Sequence, residues 1–551
     1  MRKPVLTLLA TLLVFAVFAI EGSWPIPDVN EPHYLGKAQH YWQPRWIPGD
    51  FFLDAPHAGP WRRLRESHLV FFVTCGWWSR LLTLGQMALA GRVLSWLGLA
   101  YAWQRLSRAL LPGSEQIAPW LAGLSAALFV AASRWCQMAG EWVIGGFEAK
   151  PLAYIFVLLA IEQLVAGRRT RSLVWAGLAT AFHPVVGAWT ALLVLWTWLS
   201  RRTDRPLLRR LLLAVALYGV LALPGVVPAA LMNWSVPGNV VAEANEIYVF
   251  HRAPHHLLPQ AFGAWPMLRF TLLVMFWGGV CWWSQRENET LDDDDELEQC
   301  ALEQARLRRF VLGSLLLVGC GVLLSWLGWS RPVLISAVLR YYWFRMADVL
   351  LPLGAAFASL GWLMSVLLRD VSLTRHAARG AAVAGLALAV SVSAGYLVSH
   401  GVQVVSAEQP RGDSTTKVLD FGDWCAACDW ARDNSPPDAL FITPKSTQTF
   451  KWRAQRSEVA TWKDMPQDAQ GIVEWYRRLV ELYGLEAEPE NAWTNAWRLE
   501  SLNERTPAEL RAIGAKYGAR YLLVEAELPI ELPRLYANPS YAIYDLAPAS
   551  R

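Results

Sequence analysis

Residues 4–20 read PVLTLLATLLVFAVFAI and directly follow Arg2 and Lys3. An apolar stretch of about 17–25 residues is long enough for a helix to cross a bilayer. Eight more stretches of this kind follow, at about residues 86–104, 118–136, 151–167, 207–231, 262–284, 310–328, 346–367 and 380–400. No clear cleavage site follows the first one, so we interpret it as a retained span. The sequence predicts a mainly α, polytopic transmembrane helical bundle with about nine spans.

The composition of the 551 residues supports this interpretation and excludes several classes of protein. Hydrophobic residues make up 54% and charged residues 17%, whereas a soluble globular chain carries about a quarter charged residues. This excludes a soluble cytosolic enzyme, a disordered chain and a small disulfide scaffold. Nothing resembles the basic stripe of a nucleic-acid-binding protein, so no nucleic-acid partner is expected.

The balance of charge changes near residue 400. Residues 1–400 carry 33 Lys+Arg and 24 Asp+Glu, whereas residues 401–551 carry 17 and 22. The basic surplus suits contact with anionic lipid headgroups. We therefore predict a transmembrane domain over 1–400 and a soluble domain over 401–551.

The distribution of arginine predicts the orientation. Nine spans place the chain ends on opposite sides, and arginine is denser in the segments that this parity places in the cytoplasm. The N-terminus is then cytoplasmic and the C-terminal domain extracytoplasmic. The first loop (residues 21–67) and the second loop (about 232–261) lie outside, and the acidic loop 285–309 lies inside.

Two apolar segments do not fit single spans. Residues 172–199 are interrupted by His183 and Pro184, and each half is too short to cross comfortably. We predict a broken membrane hairpin, which needs protein or a wet cavity around it. Residues 68–84 are apolar and aromatic but include Arg80, which indicates an interfacial helix.

The C-terminal domain carries the signals of an α/β fold. Residues 439–443, 519–525 and 541–546 predict strands, and residues 469–484 predict an amphipathic helix. Thr506, Pro507 and Glu509 form a capping box with proline at the first helical position, and Gly518 ends that helix.

The first loop contains a group of acidic and polar residues just outside the first span. Asp28, Asn30, Glu31 and Tyr34 lie close together in sequence, and Asp50 follows later. Carboxylates at a membrane surface can accept a proton from a hydroxyl group or hold a cation. The alternative is an ordinary loop in which these residues form turns and caps.

Three further clusters bring basic or titratable groups to the predicted outer side. They comprise Glu148 and Lys150; Arg252, His255 and His256; and Arg340, Arg345 and Asp348. Arginine suits phosphate oxygens, and a membrane-boundary aspartate needs a partner. The alternatives are helix capping for the first cluster, an ordinary exposed polar loop for the second and an internal Arg–Asp pair for the third. No spaced set of metal ligands is visible, so no metal-binding residue is predicted.

Cys425 and Cys428 have the spacing of a thioredoxin redox motif. The preceding segment 417–421 is short and polar for a strand, and a local disulfide or two unpaired thiols is the alternative.

The whole arrangement resembles the GT-C superfamily of integral-membrane glycosyltransferases. Members often show Asp-Glu-x-x-Tyr in the first loop; here Glu31 and Tyr34 match, while Asn30 replaces the aspartate and Asp28 lies two residues earlier. The Gly-Gly-Phe-Glu-Ala-Lys stretch ending at Lys150 and the Arg-Ala-Pro-His-His stretch ending at His256 are similar to those of uncharacterised bacterial membrane proteins of this plan. The resemblance implies the inner membrane of a bacterium as the location.

It also implies inverting transfer of a sugar from a polyprenyl-phosphate donor to an acceptor on the outer face. Glu31 would be the catalytic base, assisted by Asp28 or Asp50. The donor phosphate would be bound by Lys150, Arg252, His255, His256, Arg340 and Arg345, with Tyr34, Glu148 and Asp348 in the same pocket. The resemblance identifies neither the acceptor nor any cofactor, and some members use a divalent metal whereas others do not.

Three other functions remain open from sequence alone. A transporter or lipid flippase would also have many spans and a broken helix, although no internal repeat is visible. A catalytically inactive membrane scaffold is the second alternative, because Asn30 departs from the family pattern. A thiol oxidoreductase based on Cys425 and Cys428 is the third.

Overall fold

The computed structural model describes residues 3–54, 63–113, 115–288, 295–328, 330–368, 376–484, 501–527 and 529–547. Most of these residues are helical, and a five-stranded sheet lies near the C-terminus. The prediction of a mainly α chain with a C-terminal sheet is confirmed. Residues 289–294, in the predicted acidic loop, lie outside the described residues.

Eleven long helices form the bundle in the described part of the first 405 residues. Their bounds are α1 (Lys3–Gly22), α5 (Leu84–Leu110), α6 (Ala118–Cys136), α7 (Ala149–Val165), α8 (Arg169–Phe182), α9 (Pro184–Leu199), α10 (Leu208–Leu231), α13 (Ala264–Asn288), α14 (Asp295–Leu327), α16 (Arg345–Leu368) and α17 (His376–Val405). Short helices between them are α2 (Glu31–Trp42), α3 (Phe51–Asp54), α4 (Leu69–Thr74), α11 (Gly238–Glu246), α12 (Pro254–Leu257) and α15 (Pro332–Leu339). Each of the nine predicted spans overlaps one of the long helices.

Six of the described helices are long and apolar enough to cross a membrane. They are Lys3–Gly22, Leu208–Leu231, Ala264–Arg286, Leu297–Leu327, Arg345–Leu368 and Ala377–Val405. Such helices require a lipid bilayer around the apolar side chains that they expose. The chain is therefore an integral membrane protein, and the number of nine spans and the orientation stay predictions.

The segments that did not fit single spans form short helices. Residues 172–199 fall within α8 and α9, which meet at His183 and Pro184. Proline removes a backbone donor and disfavours helix at the preceding residue, so the chain breaks there. Residues 68–84 form α4 and a 3₁₀ turn, Gly76–Arg80. The predicted loop 285–309 is largely helical where it is described, because its Leu, Gln, Glu and Arg residues favour helix.

The C-terminal sheet has the strand order β2-β1-β3-β5-β4. Its strands are β1 (Leu440–Ile442), β2 (Ser457–Glu458), β3 (Tyr521–Glu525), β4 (Arg534–Ala537) and β5 (Tyr541–Asp545), and its helices are α18 (Phe421–Asn434), α19 (Phe450–Ala454), α20 (Ala469–Tyr483) and α21 (Pro507–Tyr517). β1 is parallel to β2 and β3, whereas β5 is antiparallel to β3 and β4. The predicted Thr506 capping box and the Gly518 helix end are both present.

The sheet is covered on both faces, and one face joins it to the bundle. α18 and α19 pack on one face through Trp424 and Phe450. α20 and α21 pack on the other, in an apolar cluster that continues into the second loop at Ile247 and Leu257 and into α15 at Leu339. Burying this shared apolar surface holds the C-terminal domain against the loops at one end of the bundle.

The hairpin of α8 and α9 depends on close backbone contact. A Cβ atom at Gly187 would overlap the backbone nitrogen and Cα of Thr180, which lies on the facing helix. Neighbouring small residues allow membrane helices to approach closely and pack. Glycine at this position therefore fixes how His183, at the turn of the hairpin, is presented to the interior.

We expect Gly187→Ala to destabilise the protein by about 1–3 kcal/mol, the usual cost of overpacking a tight contact. The measurement is the thermal unfolding midpoint of the purified protein in detergent. Gly219→Ala is the matched control, since nothing lies within 4 Å of a Cβ at that position in α10. Equal midpoints for the two variants would contradict the proposed tight crossing.

Candidate functional site

A cavity of about 1170 Å³ lies where the bundle, the first and second loops and the C-terminal domain meet. We call it the polar cavity. Among the predicted site residues, its lining includes Asp28, Tyr34, Glu148, Lys150, Arg252, His255, His256, Arg340, Arg345 and Asp348. Helices α6, α9 and α10 add an apolar wall that includes Val130, Leu192 and Val226. Clusters far apart in sequence thus converge on one space with a charged part and an apolar part.

Glu31 does not line this cavity, because it is fully buried in an ion pair with Arg92 of α5. Its two oxygens accept hydrogen bonds from Arg92 Nε at 2.7 Å and Nη2 at 2.6 Å. The backbone N–H groups of Phe147 and Asp28 donate to the same carboxylate. Four donors satisfy Glu31, so it fixes the first loop against α5 and the 145–148 segment.

Asp50, the other acid that was predicted to assist, also lies away from the cavity. It accepts from the backbone N–H groups of Phe52 and Leu53 and so caps α3. Its second oxygen accepts from the backbone N–H of Glu458 in β2. Asp50 therefore links the first loop to the C-terminal sheet.

Asp28 and Asn30 do line the cavity. Asp28 accepts from the backbone N–H of Gly146 at 3.0 Å, and its other oxygen lies 3.7 Å from Arg411. Asn30 Oδ1 accepts a hydrogen bond of 2.6 Å from Lys463 Nζ. Asn30, which stands where the expected motif has aspartate, therefore contacts a lysine of the C-terminal domain.

Glu148 is buried at the edge of the same group. Its Oε1 lies 3.6 Å from Lys150 Nζ. Its other oxygen, Oε2, has no hydrogen-bond partner in the described part of the chain. A buried unpaired polar atom that lines a cavity is suited to a bound ligand.

A second charged group surrounds Glu141, which was not among the predicted site residues. Its Oε2 lies 3.5 Å from Lys150 Nζ and 3.3 Å from Arg345 Nε. Asp348 accepts three hydrogen bonds from the backbone N–H groups of Met138, Ala139 and Glu141, at 2.8–3.2 Å. Asp348 thereby orders the segment that carries Glu141, and it contributes to the site through that segment.

The second loop and the end of α15 supply the remaining basic residues. Arg252 lies over the ring of Trp462, and its Nε has no hydrogen-bond partner among the described residues. Arg340 donates to Asn245 Oδ1. His256 pairs with the carbonyl of Ala139 at 2.6 Å, and its ring lies 3.9 Å from that of His255.

His33 lines the cavity, and its imidazole ring is hydrogen-bonded to an aspartate of the C-terminal domain. Its Nδ1 lies 3.0 Å from Asp464 Oδ1, and 18% of its side chain remains exposed. Asp464 in turn lies 2.7 Å from Lys451, which is also 2.7 Å from Glu458. A carboxylate on one imidazole nitrogen orients the ring and stabilises its protonated form. The other nitrogen, Nε2, is then the one suited to exchange a proton with a ligand.

Burial controls the ionisation of these groups. It raises the pKa of Glu148 and lowers that of Lys463 to about 7, an effect that nearby Arg252 strengthens. Burial lowers the pKa of His33 despite the opposing effect of Asp464, and it lowers the pKa of His255 to about 4. At neutral pH the imidazoles of His33 and His255 are therefore neutral and can accept protons.

Besides Glu141, sequence reasoning missed His33, Lys463 and Asp464 in the cavity region. Only acidic residues of the first loop were considered as the catalytic base. His33 was therefore left out, although it lies between Glu31 and Tyr34 in the motif. Lys463 and Asp464 lie in a loop of the C-terminal domain, which was predicted to be a separate soluble domain and was not searched for residues of this site. The available signal was a Lys-Asp pair between Trp462 and Met465, since a charge pair between large apolar residues indicates partial burial.

The described residues include no group of three or more His, Cys, Asp or Glu side chains that could hold a metal ion. Tyr34 contacts His68, with its hydroxyl 3.2 Å from Nε2.

Cys425 and Cys428 lie in the first turns of α18, outside the polar cavity lining, and both are free thiols. Burial raises the pKa of each, which disfavours the reactive thiolate.

We expect Glu31→Gln to destabilise the protein by roughly 3–5 kcal/mol, because it leaves Arg92 as an uncompensated buried charge. The measurement is the thermal unfolding midpoint together with the yield of monodisperse protein. Glu408→Gln, at an exposed position after α17, is the control. A Glu31→Gln protein as stable as the control would contradict the structural role of the Glu31–Arg92 ion pair.

Part of the C-terminal domain matches a known protein family. Residues 422–482, from α18 to α20, match a family described as Domain of unknown function (DUF6798). This segment carries Lys463 and Asp464. No match was found among curated proteins.

Similarity to a solved structure extends over most of the chain. This structure is an oligosaccharyltransferase from Archaeoglobus fulgidus in complex with zinc and sulfate, with 10% identity and a TM-score of 0.45. The alignment covers 94% of this chain and 68% of the archaeal chain. At this TM-score the similarity carries no argument about fold or activity.

Proposed function

We propose that the polar cavity transfers a sugar from a polyprenyl-phosphate donor to an acceptor hydroxyl group. One observation carries the proposal: cations, a His–Asp pair and an apolar wall meet in one cavity at the end of a membrane bundle. The cations suit a phosphate group, the His–Asp pair suits a hydroxyl group that must lose a proton, and the apolar wall suits a lipid chain.

The donor phosphate is placed among Lys150, Arg252 and Arg345, with Arg340 and Lys463 nearby. Arginine binds phosphate oxygens through two parallel hydrogen bonds, and lysine acts as a point charge. During transfer, the bond between the sugar and the phosphate oxygen breaks, and its electron pair stays on the phosphate. Fixed cations in a partly dry cavity stabilise this developing charge, which is usually the largest catalytic contribution.

His33 is the proposed base, in place of Glu31. The acceptor hydroxyl passes its proton to His33 Nε2 as its oxygen bonds to the sugar carbon. Asp464 holds Nδ1 and stabilises the imidazolium that forms. Glu31 lacks this capacity, because its oxygens already accept four hydrogen bonds and none of its surface is exposed.

Glu148 and Asp28 are proposed to bind hydroxyl groups of the substrates. Glu148 Oε2 has no partner among the described residues, and burial raises the pKa of Glu148. A raised pKa favours the protonated carboxyl group, which can donate as well as accept a hydrogen bond. Asp28 is held by the N–H of Gly146 with one oxygen facing Arg411.

We expect His33→Gln to lower the turnover of a polyprenyl-phosphate-linked sugar by about 10²–10⁴-fold, the usual contribution of a positioned base. The measurement is transfer of a labelled sugar by the full chain in lipid vesicles. His251→Gln is the control, because His251 is a second-loop histidine outside the cavity lining. Full turnover by His33→Gln would remove it from the mechanism.

The pH dependence gives a second test of the same pair. Neutral His33 is the active form, so activity is complete above the His33 pKa and falls as the pH drops through it. Asp464 raises that pKa, so Asp464→Asn should move the acidic limb of the kcat profile to lower pH as well as reduce the plateau. An acidic limb at an unchanged pH would contradict the assignment.

We expect Arg252→Gln to raise the KM for the lipid-phosphate donor by about tenfold or more, because a charge-assisted hydrogen bond contributes about 1.5–3 kcal/mol. Initial rates at varied donor concentration measure this. Arg331→Gln, at an exposed position before α15, is the control. An unchanged donor KM for Arg252→Gln would place the phosphate elsewhere.

A further inference from the structure

A second cavity, of about 290 Å³, lies at the other end of the broken hairpin. We call it the arginine cavity. It is lined by Gly167, Arg168, Arg169, Thr170, Arg171, Trp198, Pro206, Arg210 and Ala214. α8 begins here at Arg169 and ends at Phe182, beside His183 in the polar cavity. The two cavities are therefore separated by the length of this helix.

The acids near the arginine cavity are already shared among several arginines. Arg168 approaches Glu162 only to 4.0 Å, whereas Arg105 lies 3.1 Å from the same carboxylate. Arg169 lies 3.9 Å from Asp204. Asp204 is also bound by Arg309 and lies 3.4 Å from Arg306.

Arg171 and Arg210 have no acidic partner among the described residues, and both are exposed. The cavity therefore keeps an excess of positive charge that its own carboxylates do not balance. Such an excess attracts an anion, and the planar guanidinium group suits phosphate oxygens best.

A buried indole N–H adds an independent requirement for a ligand. Trp198 lines the cavity and is 2% exposed, and its Nε1 has no hydrogen-bond partner in the described part of the chain. Buried tryptophan N–H groups normally donate to an acceptor, and one left unpaired costs about 1–3 kcal/mol. An oxygen atom in the cavity would satisfy this donor.

The surroundings place such a ligand at a membrane surface. The start of α10 next to the cavity exposes Leu207, Leu208 and Leu212. The first N–H groups of α8 and the positive end of its dipole also lie at the cavity and favour negative charge. Basic residues beside an exposed apolar face are typical of a site for an anionic phospholipid headgroup.

We propose that the arginine cavity binds the phosphate group of an anionic ligand at the membrane face opposite the polar cavity. The phosphate oxygens accept from Arg171, Arg210 and the Trp198 indole. An anionic phospholipid is one source of this group, and a soluble phosphate is the other. This site is independent of the proposed transfer reaction.

The test uses the full chain in a neutral detergent, titrated separately with dioctanoyl phosphatidylglycerol, dioctanoyl phosphatidylcholine and inorganic phosphate. The readouts are the thermal unfolding midpoint and the bound mass in native mass spectrometry. We expect phosphatidylglycerol to bind and raise the midpoint, and phosphatidylcholine to do so at least tenfold more weakly. A matching response to inorganic phosphate would also support the site and would identify a soluble anion as sufficient.

Two variants assign the response to the cavity. Arg171→Gln combined with Arg210→Gln should weaken phosphatidylglycerol binding at least tenfold, and we expect the variant to fold because both positions are exposed. Trp198→Phe keeps the ring and removes only the N–H, and we expect a loss of about fivefold or more, since one hydrogen bond to a charged group is lost. Trp196→Phe, on the same helix but outside the cavity lining, is the control.

Two results would overturn the proposal. One is that neither phosphatidylglycerol nor inorganic phosphate binds more tightly than phosphatidylcholine. The other is that the double arginine variant binds phosphatidylglycerol as tightly as the unaltered protein does.

Discussion

The buried ion pair between Glu31 and Arg92 is the interaction on which the polar cavity depends. A carboxylate with no exposed surface is tolerated only when hydrogen bonds satisfy it, and four donors do so here. Because two of the donors are backbone N–H groups of Phe147 and Asp28, the pair fixes two loops as well as α5. The ion pair therefore fixes the positions of the neighbouring cavity residues. These are Asp28, Asn30 and His33 in the first loop and Glu148 in the 145–148 segment.

The C-terminal domain completes the cavity. Lys463 reaches Asn30, and Asp464 reaches His33, from adjacent positions in one loop. Lys451 contacts Asp464 and is itself paired with Glu458, whose backbone N–H donates to Asp50 of the first loop. The C-terminal domain thus supplies both Lys463 and the carboxylate that contacts His33, so the residues of the bundle alone do not make the whole polar cavity.

Much of the fold can be predicted from the sequence because it depends on local patterns. Apolar stretches give the long helices, His183 and Pro184 give the break between α8 and α9, and the Thr506 capping box gives the start of α21. The short strands β2 and β4 were not predicted, since two to four residues carry little periodicity. Residues 285–309 were predicted to form a loop because of their charge. Where they are described they are largely helical, because their residues favour helix.

The site was predicted less completely, because burial and pairing are non-local. Sequence spacing gave the clusters at Lys150, Arg252 and Arg345, and the fold brings them together. It could not show that Arg92, 61 residues after Glu31, would neutralise the expected base. Nor could it show that Asp464, 431 residues after His33, would orient the histidine. Such long-range pairs become visible only when the chain is folded.

The most direct test of the account is an electron cryo-microscopy structure of the full chain in lipid nanodiscs with a polyprenyl phosphate bound. The account predicts density for the phosphate within hydrogen-bonding distance of Lys150, Arg252 or Arg345, with the lipid chain along α9 and α10 and His33 facing the space beside the phosphate. Phosphate density away from these cations, or a His33 ring turned out of the polar cavity, would contradict it.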